Sequence, residues 1–332
     1  MTAKAGSVGT GVQLSLVPVR LAQGWTAQVL VKTDGIAEGP DIPSVLPTAD
    51  QWKLLLDSLI AEPSAMDAYE VLKYSATAEI VRVRFAWEAR DCSDSSGSDA
   101  GLRQSVDAVC KRSRVVGFRQ RASVMWRQSR ARVSLNRTVT LLQAGISTAL
   151  PLALLERRAP SPEAWFITAF VPGLVDLDHI ALALLPGMEA QNVRRAKDAL
   201  IEATAGLFQK MEQHKLHHRD MKASNILISG WDDPKEPVRA RVIDLEGLRR
   251  RRAWTRRKRW QPLYRLAASL LGYDSVTRSD HARLLIAYLK QCGLSIDSWK
   301  QQYRLLSGRA ADYTRRAKRR KSHKLDGYTD DT

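Results

Sequence analysis

Cysteine is scarce in this chain of 332 residues, and no two cysteines form a C-x-x-C pair. Cys92, Cys110 and Cys292 lie far apart, which speaks against a cysteine metal site and indicates a reducing compartment. An uninterrupted apolar N-terminal segment is also missing, because Gln13 and Pro18 break it. We therefore expect no secretory leader.

Acidic residues are absent from Ala108 to Leu155, and the whole chain has a net charge of +17 and a pI of about 10.1. Such an excess of cations predicts a polyanionic partner: nucleic acid, anionic lipid or a phosphorylated glycan. Residues 138–155 carry no charge at all and approach the length of a membrane span. Gly145 and Pro151 interrupt this stretch, so it predicts a helix, a loop and a strand.

Residues 217–228 read His-His-Arg-Asp-Met-Lys-Ala-Ser-Asn-Ile-Leu-Ile and contain the H-R-D-x-K-x-x-N pattern of protein-kinase catalytic loops. Asp220 would orient an acceptor hydroxyl and take its proton, and Lys222 would reach the transferring phosphate. Asn225 offers an oxygen ligand for Mg²⁺, as does Asp244, which ends a β-branched strand 19 residues later. A lone His-Arg-Asp is typical of a polar turn, but these spacings together predict phosphoryl transfer from ATP.

The two motifs predict a bilobal, protein-kinase-like fold of the α+β class, and hydrophobic periodicity places its strands and helices. A small β-rich N-lobe with five strands and one main helix is expected at 67–171, and a larger helical C-lobe with the catalytic loop at 172–312. The Pro172-Gly173 turn would be the hinge. Residues 1–66 form an extension of two strands, a loop and a short helix, to which the sequence assigns no function. Residues 313–332 are expected to be a disordered basic tail.

Over roughly residues 69–306, the chain resembles the lipopolysaccharide kinase family, the Kdo and heptose kinase group. The likeness rests on the following segments: Val71-Leu72-Lys73, Cys110-Lys111-Arg112, Ser129 to Arg132, 141–148, 151–154, the catalytic loop, 243–247 and the arginine run 249–252. The resemblance implies transfer of the ATP γ-phosphate to a sugar hydroxyl of an anionic bacterial glycolipid, with Mg²⁺. It also implies a cytoplasmic protein, with a peripheral contact at the inner face of the cytoplasmic membrane as a further expectation.

The same resemblance implies that Lys111 holds the nucleotide phosphates and that Phe170 and Val171 contact the nucleotide. The turn between the first two strands of this lobe contains no glycine, so it lacks the usual phosphate-covering loop. The hydroxyls of Ser75 and Thr77 are candidates to replace part of it. The helix also lacks the acid that pairs with the strand lysine in kinases, and the family-like position holds Ser134.

Residues 249–259 contain eight Arg or Lys among eleven residues. Such a run is usually a solvated face, but this one follows the metal-binding motif, where kinases present the acceptor. We therefore expect Arg256, Arg257 and Lys258 to bind an anionic acceptor. The nearby tryptophans suit a membrane interface or base stacking, and nucleic acid is the less favoured partner.

Three functions remain open on the sequence alone. A glycolipid kinase fits best. A bacterial protein kinase is disfavoured because no A-P-E and no D-x-W-x-x-G motif follows Gly247. A pseudokinase or binding module, using its basic surface on membrane or nucleic acid, is favoured by the missing helix acid and the glycine-free turn. His218 is expected to pack under the metal-binding segment, and His217 to lie on the surface. The sequence gives no indication of oligomeric state.

Overall fold

The structure of the chain is a computed structural model that describes residues 14–31, 43, 45–75, 78–88, 103–114, 128–159, 161–233 and 235–326. The side chains of residues 256, 318 and 320–326 lie outside this description. The chain divides into two compact units, Met1–Pro172 and Gly173–Thr332. The division falls at the Pro172-Gly173 turn. The fold class is α+β, with one large antiparallel sheet in the first unit and mostly helices in the second.

Among the described residues of the first unit, seven antiparallel strands form one sheet in the order β1-β2-β6-β7-β5-β4-β3. The strands are β1 Leu16–Arg20, β2 Thr26–Leu30, β3 Asp67–Tyr74, β4 Ala78–Glu88, β5 Arg103–Arg114, β6 Pro151–Arg157 and β7 Glu163–Ala169. The five strands predicted for the N-lobe are β3 to β7. The two strands of the N-terminal extension join the same sheet, because β2 pairs with β6.

Helix α1 (Ala49–Ala61) covers one face of this sheet. A capping box starts the helix: the Thr48 hydroxyl accepts from the Gln51 backbone, and the Gln51 side chain accepts from the Thr48 backbone. Trp52 is fully buried, donates from Nε1 to the Leu30 carbonyl at 2.9 Å, and packs edge-on against Phe85. Residues 1–66 are therefore not a separate extension, because their apolar side chains complete the core of the sheet.

Helix α2 (Arg130–Gln143) lies on the opposite face, which we call the α2 face. The Ser129 hydroxyl caps the helix by accepting from the backbone N–H of Arg132 at 3.0 Å. A second apolar cluster joins helix and sheet, and its members are Ala131, Leu135, Leu154, Ala164 and Phe166. The uncharged stretch 138–155 divides as predicted, since α2 ends at Gln143 and β6 begins at Pro151. Across the described ranges, no helix combines the length and apolarity needed to cross a membrane.

The described part of the second unit contains four long helices and several short strands. The helices are α3 Ala190–Gln213, α4 Arg256–Ser269, α5 Arg278–Gln291 and α6 Trp299–Asp326. The strands are β8 Val175–Asp176, β9 Leu216–His218, β10 Ile226–Ser229, β11 Arg239–Val242 and β12 Leu248–Arg250. They form the small sheets β11-β10-β8 and β12-β9. These sheets present the turns that carry the kinase motifs at the ends of α3, β9 and β11.

The expectation of a disordered tail from residue 313 is wrong up to Asp326, because α6 continues to that residue. Arginine and lysine make up seven of the fourteen residues from 313 to 326, and both are good helix formers. The first half of α6 packs on α4 through buried Leu306 and Ala310, and the ring of Tyr313 lies 6.3 Å from that of Tyr264. The packed half nucleates the helix that the basic residues then extend.

Candidate active site

Buried and exposed residues alternate along the catalytic loop. His218, Met221 and Ala223 are fully buried, and they anchor the loop in the second unit. Between them, the side chains of Asp220 and Lys222 are 52% and 43% exposed. Two charged groups are therefore presented to solvent by a loop that is anchored through its buried side chains.

Asp220 and Lys222 lie next to each other, with the Lys222 Nζ atom 3.8 Å from the Asp220 Oδ2 atom. Asn225 is buried, and its Nδ2 atom donates to the backbone carbonyl of Asp220 at 2.8 Å. This bond uses the nitrogen of the Asn225 side chain and leaves its Oδ1 atom as the ligand-type atom of the amide. The structure thus brings together three of the residues predicted from the motif.

Asp244 lies beside this loop because the ends of β10 and β11 are adjacent. The backbone N–H of Ile243 donates to the Asn225 carbonyl at 2.9 Å, which places Asp244 one residue beyond the Asn225 backbone. Asp244 is exposed and has a left-handed backbone, with φ 55° and ψ 55°. Aspartate adopts this conformation more readily than most residues. The kink directs the chain from β11 into the turn at Leu245–Gly247.

His218 and Gly247 join the catalytic loop to the Asp244 segment. The His218 Nε2 atom lies 3.0 Å from the Asp244 carbonyl, which can only accept, so the ring donates. Burial lowers the pKa of His218, which keeps the ring neutral. A Cβ atom at Gly247 would lie 3.3 Å from the His218 ring, so only glycine fits without a shift. His218 packs under the metal-binding segment, as predicted.

These residues fit a magnesium ion. Mg²⁺ takes a few hard oxygen ligands and keeps several waters, so one amide oxygen and one carboxylate suffice. Asn225 and Asp244 supply these two groups from neighbouring strand ends, and the Asn225 nitrogen is already used by the Asp220 carbonyl.

Two residues of α4, Ser269 and Gln261, bind the catalytic loop, and neither was predicted from the sequence. The Ser269 hydroxyl, at the end of α4, accepts from the Ala223 backbone at 2.9 Å and donates to the Leu266 carbonyl. His217 was expected on the surface, but it is buried. Its Nε2 atom lies within hydrogen-bond distance, 3.0 Å, of the Gln261 side chain of α4. Both partners are more than 40 residues away in sequence, so no local pattern indicates them.

In the first unit, the predicted nucleotide residues divide into three groups. Lys111 is half-buried on the α2 face, as its pairing with Phe166 requires. The Ser75 hydroxyl donates to the Ala78 carbonyl and accepts from the Ala78 N–H within the turn, and its contact with a phosphate stays a prediction. Thr77 lies outside the described residues.

Phe170 and Val171, which are predicted to contact the nucleotide, are half-buried. The Phe170 backbone N–H donates to the Asp107 carbonyl at 2.9 Å, and its ring lies 4.0 Å below the Arg82 guanidinium. The contact of Val171 with the nucleotide stays a prediction. Ser134, which holds the family-like position of the missing acid, is buried on α2 rather than solvent-facing.

The basic run 249–259 is only partly available to a ligand. Arg259 binds Glu212 of α3, with 2.7 Å between Nε and Oε1, so this arginine is structural and not an acceptor contact. Arg249 donates to the carbonyls of Glu246 and Leu248. Arg257 is exposed and Lys258 is half-buried at the start of α4, while the Arg256 side chain lies outside the described part.

Two comparisons with known proteins found a similarity. The chain is similar to a solved structure described as "WaaP in complex with acyl carrier protein", with 21% identity and a TM-score of 0.49 over 79% of this chain and 98% of that chain. No curated protein matches the chain. The model of the lipopolysaccharide kinase (Kdo/WaaP) family matches residues 118–288, slightly more than half of the chain and including both kinase motifs. The chain therefore belongs to the lipopolysaccharide kinase (Kdo/WaaP) family.

Proposed function

We propose that this kinase transfers the γ-phosphate of ATP to a sugar hydroxyl of an anionic glycolipid of the lipopolysaccharide type. One observation carries the proposal. Exposed Asp220 lies beside Lys222, at 3.8 Å, on the same loop as the magnesium-type ligand Asn225, with Asp244 at the end of the neighbouring strand. Phosphoryl transfer needs this combination of an acceptor-orienting carboxylate, a cation and two metal ligands.

Each residue has a defined task in the reaction. Asp220 accepts a hydrogen bond from the acceptor hydroxyl and takes its proton as the oxygen attacks the γ-phosphorus. The bond between the γ-phosphorus and the bridging oxygen breaks, and ADP leaves. Lys222 places its ammonium group beside the phosphoryl group and offsets the charge on its oxygens. Asn225 and Asp244 would hold Mg²⁺, which neutralises the charge of the nucleotide phosphates.

The first unit is proposed to bind the nucleotide on the α2 face, where Lys111 contacts phosphate and Phe170 and Val171 contact the nucleotide. The position of Lys111 on that face supports its proposed contact with phosphate. The hydrogen-bonded backbone of Phe170 and the contact of its ring with Arg82 support a nucleotide contact there.

The acceptor is proposed to bind the start of α4 through Arg256, Arg257 and Lys258. The net charge of +17 and the exposure of Arg257 support an anionic acceptor there. Since a glycolipid acceptor is anchored in a bilayer, we place the protein in the cytoplasm, with a peripheral contact at the inner face of the cytoplasmic membrane.

The direct test compares Asp220→Asn, Asp244→Asn and the wild type. Asparagine keeps the size of each side chain and tolerates the left-handed backbone of residue 244. Calorimetric titration should show Mg²⁺-dependent ATP binding that is retained in Asp220→Asn and lost in Asp244→Asn. With γ-labelled ATP and a lipopolysaccharide inner core stripped of phosphate, Asp220→Asn should lower turnover by about 10²–10⁴-fold.

Asp232→Asn is the matched control, because Asp232 is an exposed aspartate of the same unit outside the site. It should behave as the wild type in both assays. Turnover that survives in Asp220→Asn would contradict its assigned role. ATP binding without transfer to any anionic sugar acceptor would instead favour the pseudokinase function.

A further inference from the structure

A second lysine stands in line with Lys111 on the α2 face. Lys73 of β3 pairs directly with Ile80 of β4, and Ile80 pairs with Lys111 of β5. Directly paired residues of antiparallel strands point to the same side of the sheet. The backbones of Lys73 and Lys111 are therefore two strand spacings apart, about 10 Å, with Ile80 between them. Their four-carbon stems allow both ammonium groups to approach one polyanion.

Lys73 is exposed on the edge strand and has no ion pair with any carboxylate among the residues that the structure describes. The strand shifts register between Val71 and Lys73, and this irregularity is what aligns Lys73 with Ile80. Without the shift, Leu72, which follows Val71, would pair with Ile80 instead. The position of Lys73 on this face is thus a product of the strand pairing and is not visible in the sequence.

Two backbone N–H groups of the turn after Lys73, those of Ser75 and Ala78, are already hydrogen-bonded within the turn. In glycine-rich loops, backbone N–H groups bind the phosphate oxygens. Here the Ser75 N–H donates to the Ala78 carbonyl at 2.8 Å, and the Ala78 N–H donates to the Ser75 hydroxyl at 3.1 Å. Both of these donors are used inside the turn, so neither is available to a phosphate, and a lysine at this end of the face supplies positive charge.

The other end of the same face differs in charge. Arg82 and Arg84 both bind the Asp107 carboxylate, at 3.0 and 2.7 Å, and this network lies against the Phe170 ring. The hydrogen bond from Arg84 lowers the pKa of Asp107, so this carboxylate stays ionised. A second carboxylate, that of Glu70, lies 3.9 Å from Arg82, so two anions offset the two cations. The α2 face therefore runs from a neutralised, aromatic end at Phe170 to two lysines at the turn.

We propose that Lys73 is a second phosphate-binding lysine, which acts with Lys111 on a nucleoside triphosphate in place of the missing glycine-rich loop. The phosphates lie at the turn end of the face and the base lies toward Phe170. This inference rests on the proposed function, because it assigns a residue within the same nucleotide site.

The test is calorimetric binding of Mg²⁺–ATP and of adenosine to the wild type, Lys73→Gln and Lys73→Arg. Lys73→Gln should weaken ATP binding about 10-fold, as expected for the loss of one charge-assisted contact, and leave adenosine binding unchanged. Lys73→Arg should restore most of the ATP affinity. The melting temperature should not change, since Lys73 is exposed. Lys53→Gln is the matched control, because Lys53 is an exposed lysine on α1, which covers the opposite face.

Equal ATP affinities for Lys73→Gln and Lys53→Gln would overturn the role of Lys73 while leaving the kinase function intact. An equal loss of adenosine and ATP affinity in Lys73→Gln would also overturn it, since that result indicates a structural effect. A wild type that binds no ATP would overturn the proposed function together with this inference.

Discussion

A single methyl group at Gly247 would test whether the catalytic loop and the metal-binding segment are packed as one body. In Gly247→Ala, the new Cβ atom would lie 3.3 Å from His218 Cε1, 3.4 Å from His218 Nε2 and 3.5 Å from the Arg219 nitrogen. His218 is fully buried, and its Nε2 atom donates to the Asp244 carbonyl at 3.0 Å. The ring therefore cannot move away from the methyl group without disturbing its bond to Asp244.

Overpacking of a well-packed site costs about 1–3 kcal/mol. For a chain of 332 residues, that cost corresponds to a fall in melting temperature of about 1–4 °C. Because the strain falls on the bond between His218 and Asp244, the Mg²⁺-dependent part of ATP binding should weaken, while binding measured with EDTA should change little. Thermal unfolding and calorimetric titration measure the two effects separately.

Gly187→Ala is the control for this experiment. A Cβ atom at Gly187 would have no neighbouring atom within 4 Å, and the backbone of Gly187 is not left-handed. The control should therefore unfold and bind Mg²⁺–ATP as the wild type does. A Gly247→Ala variant with unchanged melting temperature and unchanged Mg²⁺ dependence would refute the claim that the two segments are packed against each other.

Three other predictions concern the titration of buried histidines, the packing of Trp52 and the helix propensity of residue 308. Burial lowers the pKa values of His217, His218 and His281, so the unfolded chain binds more protons below pH 6.5. The free energy of unfolding should fall as pH drops from 6.5 toward the folded-state pKa values, by up to about 1.4 kcal/mol per pH unit for each histidine; a flat urea-unfolding profile between pH 7 and 5.5 would contradict this. Trp52→Ala should cost about 3–5 kcal/mol in urea unfolding, and a variant as stable as the wild type would show that α1 is dispensable. Gly308→Ala, in open space on α6, should stabilise the chain by roughly 0.5–1 kcal/mol, and a lower melting temperature would argue against a helix there.

Much of the fold could be predicted because the elements have clear hydrophobic periods. The alternation of β4 and the helical spacing in α3 are local patterns, and both elements are found where these patterns lie. The catalytic chemistry was also predictable, since Asp220, Lys222 and Asn225 lie within one short loop. Their spacing is enough to bring the side chains together once the loop closes.

Other features depend on partners that are distant in sequence, and no local pattern indicates them. The hydrophobic pattern does not show that β2 pairs with β6, so residues 1–66 read as a separate extension. In the sequence, Arg259 is one more cation of a basic run. In the structure, it forms a half-buried ion pair with Glu212, which lies 47 residues earlier. His217 was predicted to be exposed, but its ring is buried and lies within hydrogen-bond distance of Gln261 of α4.

The sequence by itself determined the reaction class, because the reactive groups of a phosphotransferase are carried by two short motifs with fixed spacing. Only the tertiary structure decided which polar groups are available for that reaction. Ser75 uses its hydroxyl within its own turn, whereas Lys73, one register shift away, stands beside Lys111 on the α2 face. The physical reason is that strand register and packing set which side of the sheet a side chain faces and which hydrogen bonds it has already made.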